Sequence, residues 1–253
     1  MEEIPQQELP ATYEWFADQI AGHHPSVIKN GKREIGLLKK RGSDKILKPK
    51  QEGFRGECEV NVYKLLARAL RHSTSGDVSD GSGGDTDSDG WPGISMEDAE
   101  GLARMTPRFY GLTSVPIDKK DVDFLILEDV TSTYSLPAIL DVKMGRITYD
   151  PVASATKREK EKRKYPPQTV LGFRLLGYRM HCKDGKIVVK DKEWGKSYDE
   201  YNILDDFSHV FPSNSQLDTN YIVGLNELHS KVKSILEKFS SMSASQTSTI
   251  EHH

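Results

Sequence analysis

"SLPAILDVKMGRITYDP" (Ser135–Pro151) brings a proline, an apolar run, an aspartate, a lysine and a glycine into one short segment. Side chains on a strand project to opposite faces with period two. The spacing therefore puts Asp141 and Lys143 on one face of a strand, with Ile139, Val142 and Met144 expected to anchor it. A carboxylate and an ammonium side by side at a strand end suit a binding or catalytic site. They suit a surface ion pair, worth little to stability, equally well. The rest of the chain has to decide.

Working outward, "VDFLILEDV" (Val122–Val130) reads as a buried strand running into a connector. "EIGLLKKRGSDKILKPK" (Glu34–Lys50) reads as two short strands, near Ile35–Leu38 and Lys45–Lys48, around a glycine-containing turn. "GECEVNVYKLLARAL" follows, with Val60, Tyr63, Leu66 and Leu70 at helical spacing. On the other side of Ser135–Pro151, "DPVASATKREKEKRKYP" predicts a highly charged helix opened by Asp150-Pro151 and closed before Pro166. "VLGFRLLGYRMHC" and "GKIVVK" predict a strand pair, "NILDDFSHVF" a further strand, and Tyr221–Phe239 an amphipathic helix. Between the halves, about residues 72–93 are nearly pure Ser, Gly, Asp and Thr. Such a segment buries too little apolar surface to offset its ordering entropy and reads as a disordered acidic insertion. The order is α+β in two lobes, 1–130 and 131–253.

A chain of 253 residues has room for two lobes with real cores. The formal net charge of -3 excludes a globally basic nucleic-acid binder, although local basic patches remain open. Two cysteines, Cys58 and Cys182, without metal-ligand spacing point to a reducing compartment. The acidic, polar N-terminus is unlike a secretory signal, and no apolar run approaches the roughly 20 residues that span a bilayer.

Several groups have the chemistry of phosphoryl transfer. Lys48 ends an apolar strand and Glu59 lies in the following helix, a pair able to hold a lysine against nucleotide phosphates. Glu128 to Val130 leave a strand where exposed backbone groups can read an adenine edge, or simply where a core strand exits to solvent. Lys157, Lys160 and Lys164 lie near one helix face; they suit a substrate with several phosphates, or a solvated face balanced by Glu159 and Glu161. Asp205, Asp206 and His209 cluster near a strand end, where Asp206 could ligate magnesium or cap a local turn.

Taken together, these segments resemble the inositol polyphosphate kinase family. "PAILDVKMG" carries its Pro-x-x-x-Asp-x-Lys-x-Gly signature. "QIAGHH", "ILKP", "PRFYG", "LEDV", "LGFRLLGYRM" and "DFSHVFPSN...NYIVGLNEL" are similar to further family segments, in family order. "YDPVAS", "KYP" and "HVFPSN" are most like the multikinase branch. The resemblance implies a two-lobed kinase-like fold, with a small ATP-binding lobe and a larger lobe carrying an inositol phosphate-binding helix. It implies an ATP- and Mg2+-dependent kinase acting on hydroxyls of inositol polyphosphates, with phosphoinositide headgroups as a further ligand of the cationic helix. A monomer in nucleus and cytoplasm is expected.

By residue, the resemblance places Asp141 at the nucleotide ribose and Lys143 near the transferred phosphoryl group, the two catalytic candidates. Gly145 would let the backbone turn where a side chain would obstruct the site. Lys48 would hold ATP phosphates with Glu59 orienting it, and Glu128 and Val130 would meet adenine. Asp206 would hold magnesium; Lys157, Lys160, Lys164 and His209 would meet the substrate.

The chain also departs from the family pattern. Cys58 stands where the family has arginine, Glu159 and Lys160 replace glutamines, and Asp205 replaces an apolar residue. Where "WGKSYDEY" runs into "NILDDFSH", near residues 201–203, either a family helix and Ser-Ser-Leu-Leu strand are deleted, the reading preferred here, or the last fifty or so residues align differently and "DDFSHVF" belongs to the preceding helix. That gap motivates a second expectation: a catalytically impaired scaffold that binds nucleotide or inositol phosphate.

Overall fold

The computed structural model describes residues 5–20, 22, 24–75, 95–149, 153–182 and 185–203. The chain divides into two compact units between Pro137 and Ala138, where the sequence reading drew its line after residue 130.

The first unit contains β1 (Tyr13–Trp15), β2 (Ile28–Lys29), β3 (Lys32–Arg33), β4 (Leu38–Lys40) and β5 (Lys45–Pro49). It continues with α1 (Phe54–Ser75), α2 (Met96–Ala103), β6 (Phe109–Ile117) and β7 (Lys120–Glu128). Five strands form one antiparallel sheet in the order β1-β4-β5-β7-β6, and β2 and β3 form a separate hairpin. Alternation along the strands sorts the core into two faces. Leu38, Leu47, Val115, Ile117 and Phe124 pack on one face, while Leu125 and Leu127 pack with Val60 of α1 on the other. Phe124 and Leu125 are both fully buried, so the middle of the sheet is covered on both sides.

The strand expected at Ile35–Leu38 lies at Leu38–Lys40 instead. Residues 35–37 spend their hydrogen bonds elsewhere: Leu37 N–H donates to Gln19 Oε1 at 2.7 Å, and Leu37 O accepts from Phe16 N–H at 2.8 Å. The expected acidic insertion also begins too early. Helix α1 continues through Ser75, because extending a formed helix costs only a few tenths of a kcal/mol per residue even through Ser and Thr. The remainder of that insertion lies outside the described residues.

The second unit contains β8 (Ile139–Met144), α3 (Ala155–Lys164), α4 (Gln168–Leu171), β9 (Phe173–His181), β10 (Ile187–Lys190) and α5 (Lys192–Lys196). Its sheet is antiparallel, in the order β10-β9-β8. Leu175, Tyr198 and Ile203 form the buried core, with Leu140, Val142, Leu171, Phe173 and Trp194 against it. Helix α5 lies so close to β9 that a Cβ on Gly195 would come within 2.1 Å of Leu175 O. Trp194 then meets Tyr178 and Tyr198 edge-on, at centroid distances of 4.9 and 5.2 Å.

Helix α3 opens at Ala155, not at Asp150-Pro151. Ser154 has extended backbone and its hydroxyl accepts from Lys157 N–H, the arrangement of an N-cap. The strand expected over Asn202–Phe211 does not begin at its first residues. Asn202 and Ile203 instead close a turn on Asp199, whose carboxylate accepts from Tyr201 and Asn202 N–H. Residues from 204 on, including the expected helix at Tyr221–Phe239, lie outside the described residues. No helix among the described residues is long and apolar enough to cross a membrane.

Candidate active site

On the first unit, register decides where Lys48 points. Lys48 pairs with Leu125 and Ile46 with Leu127, so Lys48 shares the sheet face that α1 covers. Glu59 precedes the buried Val60 on that helix, and Lys48 Nζ donates to Glu59 Oε1. Neither group is sealed in; their side chains are 39% and 20% exposed, which leaves the ammonium reachable by an anion. One turn on, burial pushes the Tyr63 hydroxyl up to about 12, with the Glu59 charge adding to it. The phenol is therefore neutral at physiological pH.

Glu128 ends β7 with its N–H given to Arg108 O at 2.9 Å and its carboxylate accepting from Arg108 N–H at 3.1 Å. Val130 is 54% exposed, an apolar residue held at the surface just past the strand. Between them Asp129 is 1% exposed, and it was not singled out from the sequence. Its carboxylate accepts from Lys39 Nζ at 2.5 Å, Thr131 N–H at 3.0 Å and the Thr131 hydroxyl at 2.5 Å. Asp129 N–H also donates to Asp44 O. Burial pushes this carboxyl upward, but the Lys39 and Thr131 hydrogen bonds and the Lys39 charge outweigh it and hold it below 3.8. Asp129 thus fixes the connector whose neighbours were expected to meet adenine.

On the second unit, β8 carries the opening pair. Leu140 and Val142 pack into the core, so Asp141 and Lys143 share the opposite face. Ile139, expected as an anchor with Val142, belongs by alternation to the Asp141 face; Leu140 takes the anchoring place. Asp141 lies opposite Gly177, which puts no side chain beside it, and the register then shifts at a β-bulge before Val142. Gly145 turns the chain at φ 102°, and its N–H donates to Gly172 O at 2.7 Å. A Cβ there would meet only Ile147 O, at 3.4 Å, so the glycine is required by its left-handed backbone rather than by crowding. Gln168 donates to Gly145 O, and Arg146 donates to Val170 O, tying this turn to α4.

Helix α3 buries none of its residues. Lys164 Nζ donates to Glu161 Oε1 at 2.6 Å, and Lys162 pairs with Glu159 at 3.2 Å. The Lys164 hydrogen bond holds the Glu161 carboxyl below its ordinary value against the opposing effect of burial, and the charges of Lys164, Lys143 and Arg174 add to it. The structure therefore brings Lys143 and Lys164 into one electrostatic cluster. Lys157 and Lys160 lie on the same helix, where Lys157 N–H meets the Ser154 cap. Asp206 and His209 lie outside the described residues. Among the described residues, no group of three His, Cys, Asp or Glu side chains is placed to hold a metal ion.

A family model described as inositol polyphosphate kinase matches residues 124–249. The inositol polyphosphate multikinase of Homo sapiens is 30% identical over 197 residues, which cover 78% of this chain and 40% of that protein. That of Rattus norvegicus is 29% identical over 225 residues, covering 88% of this chain and 48% of that protein. A crystal structure of an inositol phosphate multikinase from S. cerevisiae, in complex with ADP and Mn2+, aligns at 26% identity with a TM-score of 0.38, over 45% of this chain and 50% of that one. The chain thus spans under half the length of these two curated relatives.

Proposed function

Because the chain belongs to the inositol polyphosphate kinase family, we propose that it transfers the terminal phosphoryl group of ATP to a hydroxyl of an inositol polyphosphate. The observation that carries this reading is the Lys48–Glu59 pair, a lysine fixed by a carboxylate yet open to an anion. Lys48 would neutralise the nucleotide phosphates, and the connector Glu128–Val130 would receive adenine. Asp141 would accept from the ribose hydroxyls, and Lys143 would stabilise charge developing on the transferred group. Lys157, Lys160 and Lys164 would hold the acceptor's phosphates. Such chemistry is dominated by positioning and charge neutralisation and needs no covalent intermediate. Asp206 is the residue we assign to magnesium, with His209 at the substrate; the family match extends through both positions and supports that alignment. When bound, the metal ion would offset phosphate charge.

Turnover of ATP with inositol trisphosphate and tetrakisphosphate tests the reading. Lys143→Ala is expected to lower kcat by about a hundredfold or more, the scale for removing one donor to developing charge. Unchanged turnover would remove Lys143 from the site.

The turn at Asp199–Ile203 favours a second reading. Tyr198 and Ile203 are buried in one core and Asp199–Ile203 closes as a turn, which suits a segment that packs without the family's helix and strand. A chain without that block could bind its ligands and transfer phosphate poorly. Turnover of roughly one per second or more, within the kinase range, would rule the scaffold out.

A further inference from the structure

The β8–β9 register sets Lys143 directly opposite Arg174. Like charges directly opposed on neighbouring strands repel, so this pair works against the sheet that carries it. Arg174 Nε is buried and has no hydrogen-bond partner. A buried donor left unmade is a further cost, and such violations of local rules concentrate where a ligand repays them. Glu161 of α3, with its side chain 15% exposed, bonds Lys164 and lies within electrostatic reach of Lys143 and Arg174. Arg174 also reaches Tyr165 at the end of the same helix. Glu161 thus faces three cations, and the four side chains all belong to the second unit.

We propose that Arg174 is a phosphate-contacting residue of the acceptor site and that Glu161 is a resident counter-ion which the acceptor's phosphate displaces. The inference rests on the inositol polyphosphate reading, because it takes the incoming group to be a phosphomonoester on the inositol ring. The phosphate accepts from Arg174 Nε, Lys143 and Lys164 together, and Glu161 gives up its bond to Lys164. A planar guanidinium supplies a fixed fork of donors that a second lysine would not. No bond is made or broken in this exchange; one anion replaces another. Glu161 then sets a threshold, since only a ligand with enough charge competes with the internal carboxylate.

Opposite signs at two neighbouring residues make the test specific. Binding of inositol tetrakisphosphate and of ATP to the full chain is followed by calorimetry. Arg174→Leu is expected to weaken inositol tetrakisphosphate by about tenfold or more, the scale of a charged hydrogen bond, with ATP affinity unchanged. Arg174→Lys should recover part of that loss. Glu161→Gln should tighten inositol tetrakisphosphate by about threefold while lowering the melting temperature of the ligand-free chain, because the cations lose their partner. Equal weakening of both ligands by Arg174→Leu, or unchanged inositol phosphate affinity, would overturn the inference and leave the kinase reading standing. Weaker binding by Glu161→Gln would overturn it as well. A wild-type chain that binds ATP and no inositol phosphate would overturn both. Should Arg174→Leu fail to fold, Arg174→Lys and the sign of the Glu161→Gln effect still decide.

Discussion

Asp129 shows how one residue can hold a connector in shape. It is nearly inaccessible, it is charged, and its three incoming hydrogen bonds come from β4 and from the chain just past it. Its carboxyl is held below 3.8 in the folded chain. The stabilisation this provides is complete above about pH 4 and is lost as the pH falls through the lowered value. Chemical denaturation between neutral pH and about pH 2.5 should therefore show an acid loss of stability that Asp129→Asn flattens. An identical acid slope in the variant would place the titrating group elsewhere. At neutral pH, Lys39→Met should cost about 3 kcal/mol, because it strands a buried carboxylate. This pair was not legible in the sequence. Lys39 and Asp129 are separated by 90 positions, and "LEDV", which contains Asp129, does not say that Lys39 is its partner. Lys48 and Glu59 were legible because family resemblance supplied a pairing that spacing alone does not. Arg174 was hidden for another reason: the bulge between Asp141 and Val142 shifts its partner, and register across a bulge cannot be read from alternation.

At the scale of elements, the contact between α5 and β9 is the least tolerant. Gly195 sits against Leu175 O with no room for a methyl group, and that carbonyl is backbone that cannot turn aside. Gly195→Ala should destabilise the chain by about 1–3 kcal/mol, read as a lower denaturation midpoint. A neutral outcome would mean that α5 can slide off the sheet at no cost. Elements with a strong pattern were readable: α1 from its apolar spacing, α3 from its charge, and β5, β7, β8, β9 and β10 from their apolar runs. Helix α2 was not, because "MEDAEGLA" buries only Ala99 and Ala103, and alanines give a weak apolar stripe. Strand β6 alternates in burial, but Gly111 and Pro116 interrupt "FYGLTSVPI" and disguise it. The displacement of β4 and the late opening of α3 were decided by single side chains, Gln19 and Ser154, that periodicity does not weigh.

For the whole molecule, ligand linkage offers a test that does not depend on turnover. A ligand that binds only the folded chain stabilises it by about 2.7 kcal/mol at one hundred times its Kd. ATP with magnesium should therefore raise the denaturation midpoint, and Lys48→Met should remove most of that rise while leaving the ligand-free chain folded. A full rise in the variant would exclude Lys48 from the nucleotide phosphates. The division at Pro137 has a consequence of a different kind. All five strands of the first sheet come from one uninterrupted stretch ending there, and every strand of the second sheet comes after it. A ribosome therefore delivers the first unit whole before it begins the second. At about 5–20 residues per second, translating the rest takes on the order of ten seconds, far longer than a small domain needs to fold. During that interval a nascent chain can already hold Lys48 against Glu59 while Asp141 and Lys143 wait for β9, the strand that pairs with theirs.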